Sequence, residues 1–408
     1  MSATPPAATP PRVVVTGGAA AYDIRDFLTR AAVPFEYLDD EGPEDVAVCT
    51  LDDGTCLTGP TVQDVGRALG LVSAPARDSY DFAIIGAGPA GLAAAVYASC
   101  EGLSTVVVEE WAPGGQAGTS WRIENYLGFP EGISGAELAA RARHQAEKFG
   151  AEILMLQSMT EGHPEDGHFV GTLTDGTSLR ARAVLVATGV DWRRLEVDGV
   201  ERLLHSGVYY GAAASEAPGM AGKEVYIIGG GNSAGQAALN FAEHARTVTI
   251  LVRGEGLSET MANYLCQRID QSPLIHVRPH TEVVGLDGDE WLHSVTIRDN
   301  TTSHEETVPA DGLFICIGGV PRTGWAEQDG VLTNATGYLI TGRDLFDPEV
   351  TGGRQARSRP RDPYPLETSL PGLFAAGDVR FGSTKRVAAA VGEGAMAVPL
   401  VRRFLAEG

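Results

Sequence analysis

Two stretches, DFAIIGAGPAGLAAAVYASCEGLSTVVVEE and EVYIIGGGNSAGQAALNFAEHARTVTILVRG, each lead an apolar strand into a glycine-rich turn, a small-residue helix and a second apolar strand. Further β-like segments follow each of them, and a shorter strand–helix–strand–hairpin block precedes both. Strands alternating with helices in this way build three-layer sheets with helices on both faces. The chain is therefore predicted to be α/β, with two doubly wound units and one small N-terminal α/β domain.

In chain order, MSATPPAATPP has neither a basic nor an apolar segment and reads as a Pro-rich lead rather than a signal peptide. Within block 12–72, Val13–Thr16 reads as a strand, Tyr22–Ala32 as an amphipathic helix and Phe35–Leu38 as a second strand. VAVCTLDDGTCL reads as a hairpin turning at Asp53-Gly54, and Gln63–Leu69 as a closing helix. Residues 73–79, SAPARDS, form a linker. Residues 346–365 are rich in Arg, Pro and Gly and lack periodicity. They read as an exposed loop, and Arg354, Arg357, Arg359 and Arg361 make it the one basic patch of the chain, suited to a solvated insertion or to a lid or docking arm.

The glycine loops carry specific chemistry. Gly86 permits the tight turn, Gly88 lets backbone approach a pyrophosphate, and Gly91 lets helix and strand pack closely. Glu109, 23 residues beyond Gly86, ends the second strand, where a carboxylate bonds ribose hydroxyls. In the second unit Gly229, Gly231 and Ala234 take the three places, with Asn232 and Ser233 between them. There the second strand ends in Arg253 rather than an acid, which favours a 2′-phosphate and so NADPH over NADH, without excluding NADH. Two Rossmann-like dinucleotide-binding units in one chain imply a bound flavin and a diffusible nicotinamide, with the protein supplying orientation and electrostatics.

Several motifs in the same order resemble the low-molecular-weight thioredoxin reductases: GAGPAG with Glu109, GGQAGTSWRIENYLGFP, VLVATGV, GGGNSA, FICIGGVPRT and LFAAGDVRFGSTKRVAAAVGEG. The resemblance runs from about Asp81 to Leu405. It implies an FAD domain in two pieces, 78–195 and 321–408, with an NAD(P)H domain inserted at 196–320. It implies FAD contacts from Gly115, Gln116, Asn125 and Gly377, a ribityl bond from Asp378, and Arg386 and Val387 near the pyrimidine edge of the ring. It also implies a homodimer whose domains rotate between two orientations. The N-terminal block faintly resembles a shortened, degenerate glutaredoxin-like domain whose catalytic cysteine is replaced in TGGAAAY.

One departure bears directly on function. The family's redox-active CxxC precedes the second glycine loop and stacks over the flavin, but here that segment reads GVYYGAAASE, and no cysteine lies between Cys100 and Cys266. Alanine and serine cannot exchange thiols for a disulfide, so ordinary thioredoxin reduction through this segment is disfavoured. The small residues leave space above the ring that Tyr209, Tyr210, Ser215 and Glu216 are candidates to line, with His205 a candidate acid or base. Cys316 and Cys266 read as core, Cys100 as a helix end, and Cys49 and Cys56 as reduced hairpin neighbours. No histidine or cysteine spacing suggests a metal.

The expected function is an FAD-dependent oxidoreductase in which NADPH reduces FAD and FAD passes electrons directly to a small molecule, O2 or an electron-transfer protein. The alternatives are an oxidase of a small metabolite and a non-catalytic FAD- and NADPH-binding redox module. A formal charge of −22 argues against nucleic acid and anionic membranes as partners. Scattered, unpaired cysteines and the absence of an apolar span suit the cytoplasm.

Overall fold

The computed structural model describes residues 13–38, 46–120, 122–211, 216–355 and 361–407. The first block holds β1 (Val13–Thr16), α1 (Tyr22–Arg30), β2 (Phe35–Tyr37), β3 (Val48–Leu51), β4 (Cys56–Thr58) and α2 (Val62–Ala68). Its sheet runs β2-β1-β3-β4, with β1 and β2 parallel and the other pairings antiparallel. Asp53-Gly54 turns the hairpin with Gly54 at φ +85°, and a Thr61–Asp64 capping box starts α2. Cys49 is buried and Cys56 exposed, both as free thiols, because the register pairs Cys49 with Leu57 and Thr50 with Cys56.

The second unit begins with β5 (Tyr80–Ile85), α3 (Pro89–Cys100), β6 (Thr105–Glu109), α4 (Gly135–Lys148) and β7 (Glu152–Met155). It continues through β8 (Met159–Glu165), β9 (His168–Leu173), β10 (Ser178–Val186) and β11 (Val190–Trp192). Strands β7-β6-β5-β10 are parallel and β9 and β8 extend them antiparallel. All of β6 is buried, as expected of a parallel strand covered on both faces.

The chain then enters the third unit: β12 (Val208–Tyr210), β13 (Glu224–Ile228), α5 (Asn232–Phe241), β14 (Thr247–Leu251), α6 (Asn263–Asp270) and β15 (Ile275–Arg278). An antiparallel sheet follows, β16 (Thr281–Asp287), β17 (Ser294–Asp299) and β18 (Glu305–Pro309), and then β19 (Gly312–Ile315). The third unit's main sheet is wholly parallel, ordered β12-β19-β13-β14-β15. Strand β20 (Gly319–Pro321) pairs antiparallel with β11, so the outgoing and returning crossovers form one two-stranded ribbon. The chain returns through α7 (Gly324–Gln328), α8 (Pro348–Thr351), β21 (Leu373–Ala375) and α9 (Val387–Glu407), and β21 joins β10 in parallel in the second unit's sheet.

The described residues of the region expected to be an exposed basic loop are mostly exposed, but parts of it are tied into the fold. It contains α8. The Arg354 guanidinium donates to the carbonyls of Thr351 and Thr333. Arg361 donates to both Glu367 carboxylate oxygens at 2.7 and 3.0 Å and to Glu407 near the end of α9 at 2.7 Å. Glu367 is fully buried and also accepts from the Tyr364 and Gly372 amides. Arg361 thus answers a carboxylate that the fold has buried, whereas Arg354 is exposed and bonds backbone carbonyls; Arg357 and Arg359 lie outside the described residues.

Candidate active site

The glycines of the first loop divide their work as their spacing requires. Gly86 sits at φ +105°, and a Cβ there would meet the Ala187 carbonyl oxygen at 2.5 Å; at Gly91 it would fall 1.9 Å from the Gly86 carbonyl oxygen. A Cβ on Gly88, by contrast, would meet only the Gly115 Cα, at 3.9 Å. The missing side chain of Gly88 therefore opens space at the N-terminus of α3, where backbone N–H groups favour an anion. The second loop repeats the pattern. Gly229 has φ +133° against the Cys316 carbonyl, Gly231 faces open space, and Ala234 is fully buried in the third unit's core.

A cavity of about 750 Å³ lies against the first loop. Glu109, 9% exposed, accepts from the Ala87 and Trp111 amides, one on each carboxylate oxygen, at 2.7 and 3.0 Å. Burial pushes its carboxyl upward, while those amides and the nearby Arg30 guanidinium oppose the shift. Each oxygen keeps a lone pair for a further hydrogen bond. Gly115, Gln116, Asn125, Gly377, Asp378, Arg386 and Val387 all line the same cavity, and Gln116 is held by its amide donating to the Val190 carbonyl at 2.7 Å. Burial pushes the Asp378 carboxyl up against the opposing charge of Lys385. The third unit reaches the cavity too, through Asn232, Ser233 and Gln236 at the start of α5. The first glycine loop and the start of α5 thus line one space, while Gly229 and Gly231 are not among its lining residues. Arg253 is exposed just beyond the end of β14.

The family profile described as Pyridine nucleotide-disulphide oxidoreductase matches residues 80–394. The chain belongs to this family. It is 34% identical to the thioredoxin reductase of Treponema pallidum over 80% of this chain and 97% of that one. It is 30% identical to the F component of alkyl hydroperoxide reductase from Staphylococcus epidermidis over 83% of this chain, and it spans 62% of the length of that relative. Thioredoxin reductase from Lactococcus lactis, solved in its FR conformation, superposes with a TM-score of 0.71 at 28% identity, covering 81% of this chain and 100% of that one. Thioredoxin reductase from T. acidophilum gives 0.70 at 28% identity, covering 81% and 99%.

Oxidoreductases of this type bind FAD and NADPH, and the residues present fit both. Besides the open position at Gly88, the cavity wall holds two buried polar atoms, Thr188 Oγ1 and Arg30 Nε, with no hydrogen-bond partner among the described residues. Among the lining side chains that the sequence did not single out are Asp23, Asp26, Arg30 and Lys385. Lys385 donates to the Asp378 carbonyl, and burial pushes its ammonium down. Its signal was its position directly before Arg386. The other three lie on α1, where polar residues of an amphipathic helix read as a solvated face.

The candidates for the space above the ring lie elsewhere. Of the described part of 207–216, Gly211 lines the cavity, whereas Tyr209, Tyr210, Glu216 and His205 do not. Strand alternation explains the tyrosines. Tyr209 turns into the core under α5, stacked on Phe314 at 5.0 Å, and Tyr210 turns to the opposite core, accepting from the Leu195 amide at 2.9 Å. Glu216 is buried close to the Tyr209 phenol, which burial and that carboxylate push up. His205 stacks on Tyr22 of α1, and burial lowers its affinity for a proton against Asp23 and Asp26. Ser215 lies outside the described residues. Cys316, expected in the core, is buried and also touches the cavity; burial pushes its thiol up to about 12.

Proposed function

We propose that this chain is an NADPH-dependent FAD oxidoreductase that delivers electrons to an acceptor other than a dithiol in its own 207–216 segment: a small molecule, O2 or an electron-transfer protein. One observation carries the reading. The start of α5 and the FAD loop share a cavity, while the 207–216 segment has no cysteine. Bound there, a nicotinamide nucleotide and a flavin would supply hydride transfer. Gly88 and the N-terminus of α3 hold the pyrophosphate, Glu109 the ribose and Asp378 the ribityl chain, with Gln116, Asn125, Arg386 and Val387 around the ring. Gly229, Gly231, Asn232, Ser233 and Ala234 seat the nicotinamide nucleotide, and Arg253 reads its 2′-phosphate.

The domain reading goes with it: an FAD domain at 78–195 and 321–408 and a nucleotide domain at 196–320, in a homodimer. The N-terminal block is a degenerate glutaredoxin-like unit, supported by its β2-β1-β3-β4 order and directions. Among the described residues no helix is long and apolar enough to cross a membrane.

Anaerobic stopped-flow mixing with NADPH should bleach the flavin band rapidly, and the reduced protein should be reoxidised by O2, a quinone or ferredoxin faster than by a protein disulfide. Slow bleaching, or disulfide reduction outpacing every other acceptor, would sink the reading. Arg253→Ala should raise KM for NADPH by about ten-fold while leaving that for NADH nearly unchanged, because only the phosphate contact is lost. Equal changes for both nucleotides would remove Arg253 from the site.

A further inference from the structure

We propose that α1 of the N-terminal block is a strut that fixes the two dinucleotide-binding units in the orientation that brings α5 to the flavin cavity, and that Tyr22 is its positioning residue. The functional weight of this proposal rests on the NADPH-to-FAD path proposed above; the mechanical part does not.

The covalent connection between the units is slight. Val190–Trp192 pairs with Gly319–Pro321 as a two-stranded ribbon, and such a ribbon is only marginally stable by itself. Glu124 of the FAD unit meets Arg268 of α6 at 2.5 Å, but both side chains are partly solvated, and a pair of that kind contributes little.

Helix α1 makes a different kind of bridge. Tyr22, Asp26 and Arg30 recur every four residues and so share one face of the helix. At the C-terminal end Arg30 pairs with Asp26 and donates to the carbonyls of Ala112 and Gly115 in the FAD loop, at 3.2 and 3.3 Å. Phe27 stands edge-on to Trp111, with ring centres 6.3 Å apart, and Ala112 and Leu156 of the FAD unit are buried in the N-terminal block's own core. This end of the strut is built into the FAD unit.

At the other end Tyr22 packs against the core of the nucleotide unit. Its ring stacks on His205 with centres 4.1 Å apart and lies 5.9 Å from Tyr209. His205 holds a left-handed backbone, φ +65°, that a non-glycine residue adopts only when its surroundings impose it. Burial, with the carboxylates of Asp26 and Glu216, pushes the Tyr22 phenol far up, as expected of an enclosed ring. Turning one unit against the other must pull Tyr22 off His205 and Tyr209. Tyr22 also lies against Tyr209 and near Glu216, the described residues on either side of 212–215.

The test uses FAD-loaded full-length protein with Cys56, Cys100 and Cys266 changed to serine and with E124C and R268C installed, cross-linked by a short bis-methanethiosulfonate. Cross-linking should be fast and equal with and without NADP+. Tyr22→Ala should slow it about ten-fold and slow flavin bleaching by NADPH to a similar degree at unchanged flavin content, as loss of orientation requires. Tyr22→Phe, which keeps the stack, should restore both rates. If Tyr22→Ala lowers the melting temperature too far for assay, Tyr22→Leu takes its place, with the same slowing expected. Cross-linking of the alanine or leucine variant at the parent rate overturns the strut. A Tyr22-dependent cross-link in a protein whose flavin NADPH does not bleach supports the strut and sinks the electron path alone.

Discussion

Gly88→Asp should give a folded chain that purifies without its yellow cofactor. The backbone at Gly88 is extended, φ −70° and ψ −177°, and the position caps α3, so an aspartate is sterically welcome and even favourable to the helix. Its Cβ meets nothing closer than 3.9 Å. Its carboxylate, however, points where the pyrophosphate must lie. Two like charges about 4 Å apart near a protein surface repel by roughly 4 kcal/mol, which weakens FAD binding by about three orders of magnitude. The ratio of flavin to protein absorbance, with a thermal melt to confirm folding, reads the result directly. Gly91→Ala is the informative contrast: a Cβ 1.9 Å from the Gly86 carbonyl oxygen forces α3 away from β5, and overpacking of this kind costs about 1–3 kcal/mol of stability. A Gly88→Asp protein that retains full flavin would mean that the pyrophosphate does not sit at this loop.

The second large effect is structural. Arg361→Met removes the cation facing Glu367, a carboxylate with 0% exposure that also organises the Tyr364 and Gly372 amides. Breaking a buried pair from one side costs about 3–5 kcal/mol, and because Arg361 keeps some contact with solvent the lower end, about 3 kcal/mol, is expected. The urea midpoint should fall accordingly. Arg141→Met, which loses the exposed pair with Glu137 on α4 and a 5.8 Å approach to the Phe129 ring, should change stability by less than about 1 kcal/mol. Equal, small effects in the two variants would show that the 361–367 turn does not anchor the end of α9.

What the sequence revealed and what it hid have physical reasons. Strands β5, β6 and β13 and helices α3 and α5 were legible because glycine punctuation and unbroken apolar runs are local signals. Glu109, which ends β6, and Asp378, which follows β21 by three residues, were singled out by their motifs, and both line the cavity. The fate of Tyr209 and Tyr210 was not, since which core an alternating edge strand faces depends on sheet order, and β12 pairs with β19, about a hundred residues later. Arg361 looked like surface basicity because its partners, Glu367 and Glu407, meet it only after β21 and α9 have docked. The polar side of α1 looked solvated for the same reason: nothing local in YDIRDFLTR announces that Asp23, Asp26 and Arg30 border a cavity formed by chain far downstream.

Cys316 has a chemical consequence of its own. Burial pushes its thiol up to about 12 and so disfavours the nucleophilic thiolate at neutral pH. Peroxide and alkylating agents therefore find almost nothing to attack at the sulfur nearest the cavity, and the more accessible thiols, Cys56 and Cys100, stand outside its lining. Oxidative stress, which silences proteins that work through exposed sulfhydryls, has little chemical purchase on this cavity.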